Sequence, residues 1–173
     1  QDYVQELSTY ESTDAHNANW NFVGNPYTAY MPIQEMNCKS PITVWNQNIN
    51  NYEAYSALDD HYILEPYQCF FVQKPKNQAS ITFKAEGRLS YTGSRNYTAQ
   101  APAMRMAQEV ESARRVINLV ISGEESSDKT RVVLNEEAQM NYEMECDAAK
   151  FMGNNAVQFY SLYNGVKYAI NER

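Results

Sequence analysis

The dipeptide Asn164-Gly165 is the strongest structural signal in the sequence, because it separates two alternating runs in AVQFYSLYNGVKYAIN (156–171). A type I′ turn needs positive φ at both central residues, and Asn followed by Gly reaches that conformation most readily. The stretch therefore predicts a β-hairpin.

Other segments also have the composition of strands. SITFKAE (80–86) alternates, with Ile81, Phe83 and Ala85 predicted to face inward, as in a half-buried antiparallel strand. YQCFFVQK (67–74) is apolar on both sides, which indicates a central strand. Further strands are predicted in NWNFVGN (19–25), ITVWNQ (42–47), YEAYSA (52–57), RRVINLVIS (114–122) and TRVVLNEE (130–137), the last two as a hairpin.

The stretch NWNFVGNPY (19–27) places Trp20 and Phe22 on one side of its predicted strand. We interpret it as a core strand that ends in a bend, since Gly24 permits a close backbone approach and Pro26 has no N–H for the sheet. An architectural role is favoured over a binding loop.

The chain of 173 residues has the size of one domain, with about nine predicted strands and no convincing long helix. We therefore predict an all-β fold, an antiparallel β-sandwich of jelly-roll type, as a single domain over residues 1–173. Residues 88–113 are predicted to form a long connecting loop. YEMECDAAKF (142–151) is predicted to contain one short helical turn over a sheet edge.

The net charge of −7 argues against nucleic acid as a partner, because proteins that bind phosphate backbones carry basic stripes. No apolar run approaches the roughly 18 residues that a membrane-spanning helix needs. The three Cys residues include no CxxC pair, so neither a disulfide framework nor a zinc site is indicated. Cys69 is predicted to be a small buried hydrophobic residue, and a Cys38–Cys69 bridge is the less favoured alternative.

Known catalytic motifs are absent from the sequence. The chain has only two His residues, so a catalytic or metal site built from several His side chains is not indicated. His61 follows Asp59 and Asp60, a trio that could bind a metal. A solvated turn is the favoured interpretation. We expect no cofactor, no metal and no enzymatic activity.

Two clusters of acidic residues are candidates for glycosidase catalysis or calcium binding. Glu124, Glu125 and Asp128 share one predicted turn, and Glu136 and Glu137 end a strand. A glycosidase needs two carboxylates about 5–10 Å apart, and calcium-loop spacing is missing. A solubilising hairpin tip is the favoured interpretation of the first group, with calcium binding left open.

The aromatic residues Trp45, Tyr52 and Tyr55 fall on neighbouring predicted strands and are the candidate ligand-binding residues. Exposed Trp and Tyr rings suit half-wet surfaces and can stack on sugar rings. The alternative is that Trp45 packs in the core, and this alternative is favoured.

Several motifs in order are similar to a block in large secreted surface proteins of Bacteroides-type bacteria. They are NWNFVGNPY, ITVWN and EPYQCFFVQKP, followed by RVINLVISGEESSDKTRVVLNEEAQMNYEMECDAAKFM and YSLYNGVKYAINER, together spanning roughly residues 19–173. The resemblance implies a β-sandwich module of a longer polypeptide, at the bacterial outer surface or secreted. It supplies no catalytic residues.

The leading functional hypothesis is a non-catalytic module for adhesion, glycan contact or surface assembly. The alternatives are a polysaccharide-hydrolase jelly roll, catalytic or accessory, and a structural spacer domain. The expected partners are glycans and other domains or chains of a surface assembly, the latter added as strands to an exposed sheet edge.

Overall fold

The computed structural model describes residues 1–90 and 114–173. Within these ranges the chain is all-β, as predicted: thirteen short strands form four sheets, with only three single 3₁₀ turns between them. The jelly-roll arrangement and the count of about nine strands stay predictions. Of the predicted loop at 88–113, only residues 88–90 lie in the described part.

The strands are β1 (Tyr3–Glu6), β2 (Trp20–Gly24), β3 (Met31–Pro32), β4 (Ile42–Asn46), β5 (Asn51–Tyr55), β6 (Ile63–Leu64), β7 (Cys69–Gln73), β8 (Ser80–Phe83), β9 (Arg115–Ser122), β10 (Ser127–Leu134), β11 (Ala148–Ala149), β12 (Ser161–Tyr163) and β13 (Val166–Glu172).

The N-terminal half is built around an antiparallel four-stranded sheet in the order β2-β7-β4-β5. The antiparallel pairs β1–β8 and β3–β6 lie beside it. One face of the sheet and these pairs enclose an apolar core, to which Phe70, Val72, Ile81 and Phe83 contribute fully buried side chains. The predicted inward positions Ile81 and Phe83 are confirmed, whereas Ala85 is half-buried in a 3₁₀ turn.

The C-terminal half forms a five-stranded sheet in the order β11-β13-β10-β9, with β12 paired to β13. Three of its four pairings are antiparallel, as predicted for the fold, whereas β10 and β13 run parallel. The predicted hairpin at Asn164-Gly165 is confirmed, with φ values of 47° and 80° at the two turn residues. The hairpin of β9 and β10 is also confirmed, with residues 123–126 as its loop.

Strand β2 is confirmed, but the face that carries Trp20 and Phe22 is not the one that packs on the core, contrary to the prediction. Val23 is buried, whereas Phe22 is 65% exposed, because the apolar core lies on the Val23 side of the sheet. The predicted close approach at Gly24 is confirmed, since a Cβ there would lie 3.3 Å from Cys69 Sγ.

Two local predictions were wrong. Cys69 is exposed, because it begins β7 on the outer side, opposite Gly24. In 142–151 the predicted helical turn ends earlier than expected, since it is limited to residues 143–147, where the Asp147 N–H donates to the Glu143 carbonyl at 2.7 Å. Ala148 and Ala149, which were expected inside the helical turn, form β11 because β13 offers them an edge.

Candidate functional site: an aromatic surface on the four-stranded sheet

The outer face of the four-stranded sheet carries a continuous set of aromatic rings, which we call the aromatic surface. It consists of Trp20, Phe22, Trp45, Tyr52, Phe71 and Phe151. Contiguous apolar groups at the surface of a folded protein often mark a site of interaction.

Strand register explains how the rings meet. Phe22 lies opposite Phe71 on the neighbouring strand, and Trp45 lies opposite Tyr52. Residues opposite each other in an antiparallel pair point to the same face, so each pair projects outward together. Phe151, which follows β11, adds a ring from the C-terminal half.

The rings contact one another in an unbroken path. Ring centroids are 4.7 Å apart for Phe22–Phe71, 5.1 Å for Phe71–Phe151 and 4.9 Å for Trp45–Tyr52. Tyr52 also lies 5.5 Å from Phe151, mostly edge-on. Such tilted and edge-to-face pairs stabilise each other by about 0.5–1.5 kcal/mol beyond their buried area. The surface is therefore held rigid by its own contacts.

Two members reach furthest into solvent, at opposite ends of the surface. Phe22 is 65% exposed and Trp45 is 43% exposed. The predicted burial of Trp45 in the core was therefore wrong: β4 alternates, and its core side is occupied by Ile42 and Val44.

An open cleft of about 460 Å³ lies at the Phe22 end. Its apolar wall is made by Trp20, Phe22 and Phe71, and its rim carries polar groups of the N-terminal segment, namely Gln5, Glu6, Ser8, Tyr10 and Asn21. Asn21 fixes this segment beside β2, because its amide accepts from the Ser8 N–H at 2.8 Å and donates to the Ser8 carbonyl at 3.0 Å.

A second open cleft of about 330 Å³ lies on the other side of Trp20. Phe151, His16 and Lys167 contribute to its lining. Trp20 is held between the two clefts by its indole N–H, which donates to the His16 carbonyl at 3.0 Å, and by the Phe151 ring at 4.7 Å.

The structure brings together two of the three predicted ligand-binding residues. Trp45 and Tyr52 belong to the aromatic surface, whereas Tyr55 points to the opposite face of β5, where it stacks on Tyr62 at 4.1 Å. An odd spacing along a strand reverses the side-chain direction, so Tyr52 and Tyr55 were never able to share a face. Lys129 covers the Tyr55 ring at 3.8 Å.

Four members of the surface were not predicted as site residues: Trp20, Phe22, Phe71 and Phe151. The alternation in NWNFVGN already placed Trp20 and Phe22 on one side, so the signal was present but was assigned to the core. Phe151 carried no usable signal, because its contacts depend on the packing of the C-terminal half.

The Asp59-Asp60 pair is part of an ion-pair network rather than a solvated turn or a metal site. Arg114 donates to Asp59 at 2.5 Å and to Glu172 at 2.8 Å, and Arg131 donates to Asp60 at 2.6 Å. The hydrogen bond from Arg114 lowers the pKa of Asp59 below its ordinary 3.8, against the opposing effect of burial. The network joins the β5–β6 connection to the C-terminal sheet. His61 is exposed.

Asp128 was predicted at an exposed hairpin tip, but it lies within β10 and is almost completely buried. Its carboxylate accepts from Lys150 Nζ at 2.5 Å and from the Phe159 N–H at 2.6 Å. Since both oxygens are used in holding the fold together, neither calcium binding nor acid–base chemistry is favoured at Asp128. The other four acidic candidates, Glu124, Glu125, Glu136 and Glu137, are exposed.

All three Cys residues are free, so the alternative of a Cys38–Cys69 bridge was wrong. Burial raises the pKa of the Cys38 thiol to about 12, despite its hydrogen bond to the Ser40 carbonyl. In residues 1–90 and 114–173, no group of three or more His, Cys, Asp or Glu side chains is placed to bind a metal ion. The same ranges contain no helix long and apolar enough to cross a membrane.

Comparisons of the chain with known protein families, with curated proteins and with solved structures give no match. The similarity to Bacteroides-type surface proteins therefore stays an expectation based on the motifs alone.

Proposed function

We propose that this protein is a non-catalytic β-sandwich module that binds uncharged glycans on its aromatic surface. The observation that carries the proposal is the unbroken row of ring contacts that ends in two exposed rings, Trp45 at one end and Phe22, beside an open cleft, at the other. Amphipathic rings on a half-wet surface suit the apolar faces of sugar rings.

The cleft next to Phe22 supports this choice of ligand. A sugar presents both an apolar face and hydroxyl groups, so its binding site needs a ring to stack on and polar groups at the edge. Phe22 and Phe71 supply the rings, and the hydroxyl groups of Ser8 and Tyr10 supply donors and acceptors at the rim. Small-ligand sites combine apolar walls with a few polar groups in this way.

Charge favours neutral over acidic glycans. The chain has a net charge of −7, and Glu6 stands at the rim of the cleft. A polyanionic glycan would be repelled by both, most strongly at low salt. We place the module at the bacterial outer surface or in the secreted fraction, as part of a larger surface assembly, in keeping with the motif resemblance.

The test is a binding measurement against neutral polysaccharides, namely a mixed-linkage β-glucan, xylan and galactomannan, by affinity gel electrophoresis and calorimetry. We expect at least one polysaccharide to bind. We expect Phe22→Ala and Trp45→Ala each to weaken that binding about 2- to 12-fold, because a stacking contact on one ring is worth roughly 0.5–1.5 kcal/mol.

Leu162→Ala is the matched control, since Leu162 on β12 is as exposed as Phe22, at 65% each. It should bind like the unmodified chain. Failure of all three neutral polysaccharides and of a glycan array would contradict the proposal and favour the structural-spacer alternative. Equal binding by all three variants would place the ligand elsewhere.

The hydrolase alternative can be tested with the same material. The hydrolase alternative would be supported by release of reducing sugar from a bound polysaccharide. This activity should be lost when an acidic residue near the aromatic surface is replaced by its amide. Glu6, at the rim of the cleft, is the carboxylate for this test. The half-buried Glu53 lies on the other face of β5, where it accepts from the Tyr55 hydroxyl at 2.9 Å. There the Asn46 hydrogen bond and the Lys129 charge hold its pKa below its ordinary value against the effect of burial, and it faces away from the aromatic surface.

A further inference from the structure

Strand β9 is the most exposed regular element of the described chain. All eight of its residues, Arg115–Ser122, are exposed, and five of them are large apolar side chains, with Val120 at 66%. Within residues 1–90 and 114–173, β9 is also the edge of the five-stranded sheet and pairs with β10 on one side only. A long, apolar edge strand is a template for pairing with another strand.

The β9–β10 register shows which backbone groups of β9 face away from the sheet. The Gly123 N–H donates to the Ser126 carbonyl at 2.9 Å, so Gly123 and Ser126 form a hydrogen-bonded pair at the loop end of the hairpin. Hydrogen-bonded and non-hydrogen-bonded pairs alternate along an antiparallel ladder. The odd-numbered residues of β9 therefore bond to β10. The N–H and C=O groups of the even-numbered residues point outward, at Val116, Asn118, Val120 and Ser122.

We propose that a second copy of this chain pairs with β9, antiparallel about a twofold axis through Leu119. In this register Val116 exchanges backbone bonds with Ser122 of the second copy, and Asn118 with Val120 of the second copy. All four outward-facing residues are then satisfied in both copies, with about eight bonds formed in all. The two five-stranded sheets become one continuous sheet.

The side chains of β9 are self-complementary in this register. Ile117, Leu119 and Ile121 share one face of the strand and read the same in both directions. Leu119 meets its own symmetry mate, and Ile117 lies opposite Ile121 of the second copy. Directly opposed apolar pairs of this kind stabilise antiparallel strands. A twofold interface requires a self-complementary patch, and this strand provides one.

Charge distribution favours the same register. The strand begins with Arg115 and is followed by the acidic loop residues Glu124 and Glu125, all exposed. Antiparallel pairing about Leu119 brings Arg115 of each copy opposite Gly123 of the other, next to that acidic loop. Opposite charges therefore meet at both ends of the interface, whereas a parallel arrangement would place like charges together.

Sedimentation velocity on the chain gives the first test. We expect a monomer–dimer equilibrium, and we expect Leu119→Lys to raise the dimer dissociation constant at least tenfold, because two lysines would meet on the axis. Leu162→Lys, at an even more exposed site on β12, should leave the dimer unchanged. A strict monomer at 100 µM, or a dimer that Leu119→Lys does not weaken, would overturn the proposal.

A charge exchange tests the register. Arg115→Glu alone and Glu124→Lys with Glu125→Lys should each weaken the dimer severalfold, more at low salt than at high salt. The triple variant should return to the original dissociation constant. If it instead weakens the dimer by the product of the two separate effects, the antiparallel register is wrong.

Cross-linking tests the position of the axis. In a Cys69→Ser background, which removes the exposed thiol, Leu119→Cys should form a disulfide-linked dimer under mild oxidation. Opposed Cα atoms in a non-hydrogen-bonded pair lie about 4.5 Å apart, within the disulfide range. Val120→Cys is more exposed but lies off the axis, so it should cross-link much more slowly. Faster cross-linking by Val120→Cys would overturn the proposed axis.

Discussion

The N-terminal and C-terminal halves of the molecule bury different kinds of side chain. Among the described residues, the N-terminal half encloses thirteen buried apolar residues in one cluster, whereas the second cluster joins Ala148, Ala169 and Ile170 of the C-terminal half to Ala54 of β5. The C-terminal interior is instead filled by charged groups, among them the Lys150–Asp128 pair, whose side chains are 1% and 0% exposed.

The two interiors therefore differ in what they require of a buried side chain. An apolar interior depends on volume and shape, and it loses free energy when a cavity is opened. An ion-paired interior depends on both partners being present, because a buried charge without its partner costs far more than the pair contributes. Mutations that separate volume from charge should therefore affect the halves differently.

The largest expected effect is in the apolar half. Phe83 is fully buried, lies 6.4 Å from Phe70 between ring centroids, and belongs to the central cluster. We expect Phe83→Ala to lower the free energy of unfolding by about 3–5 kcal/mol, because it leaves a large cavity. Urea unfolding followed by fluorescence measures this. Phe83→Leu, which keeps most of the volume, should cost less than half as much; an equal cost would refute the cavity explanation.

A somewhat smaller effect is expected at the buried ion pair. Lys150→Met keeps the length of the side chain but leaves Asp128 without its counter-charge, and we expect a loss of about 3 kcal/mol in the same unfolding measurement. Adding Asp128→Asn removes the lone charge and keeps an acceptor for the Phe159 N–H. The double variant should therefore regain at least half of the loss. If it is less stable than Lys150→Met alone, the two halves do not differ in the way described.

The sequence predicted those features that depend on neighbouring residues. The Asn164-Gly165 hairpin and the β9–β10 hairpin are local, and the alternation of Ile81 and Phe83 sufficed to place both inside. The ion pairs could not be predicted, because Asp59 and Arg114 are far apart in the chain and only the fold brings them together. The buried face of β2 was predicted wrongly for a related reason. Phe22 and Val23 are both apolar, and only the position of the neighbouring core decides which of them is buried.

The aromatic surface was predicted in part on the same grounds. Trp45 and Tyr52 lie on consecutive strands, and their opposition follows from a short connection. Phe71 and Phe22 meet only because β7 pairs with β2, from which it is separated by β3 to β6. Strand order within a sheet is not encoded in the periodicity of any single strand.

The smallest expected effect concerns pH. The pKa of Asp59 is lowered by its hydrogen bond from Arg114, so the native state favours the carboxylate more than the unfolded chain does. This contribution is complete above the unfolded pKa and is lost as the pH falls through 3.8 toward the lower native value. Asp59→Asn should therefore flatten the decline of the unfolding free energy between about pH 5 and pH 3.

The control for this measurement is Glu136→Gln, which changes an exposed carboxylate near the same sheet. Its pH profile should match that of the unmodified chain. Asp147, whose pKa burial raises, has the opposite sign, and its contribution is common to all three proteins. An unchanged acid slope in Asp59→Asn would show that the ion-pair network does not link stability to pH.

The parallel pairing of β13 with β10 has a consequence for synthesis on the ribosome. β13 lies between β10 and β11 in the sheet, yet it follows both of them in the chain. While β13 is still inside the exit tunnel, the emerged β9–β10 hairpin has two open edges, one of which will later hold the central strand. Nascent chains on adjacent ribosomes could pair there first, so the speed at which residues 135–172 emerge should influence the yield of correctly folded protein.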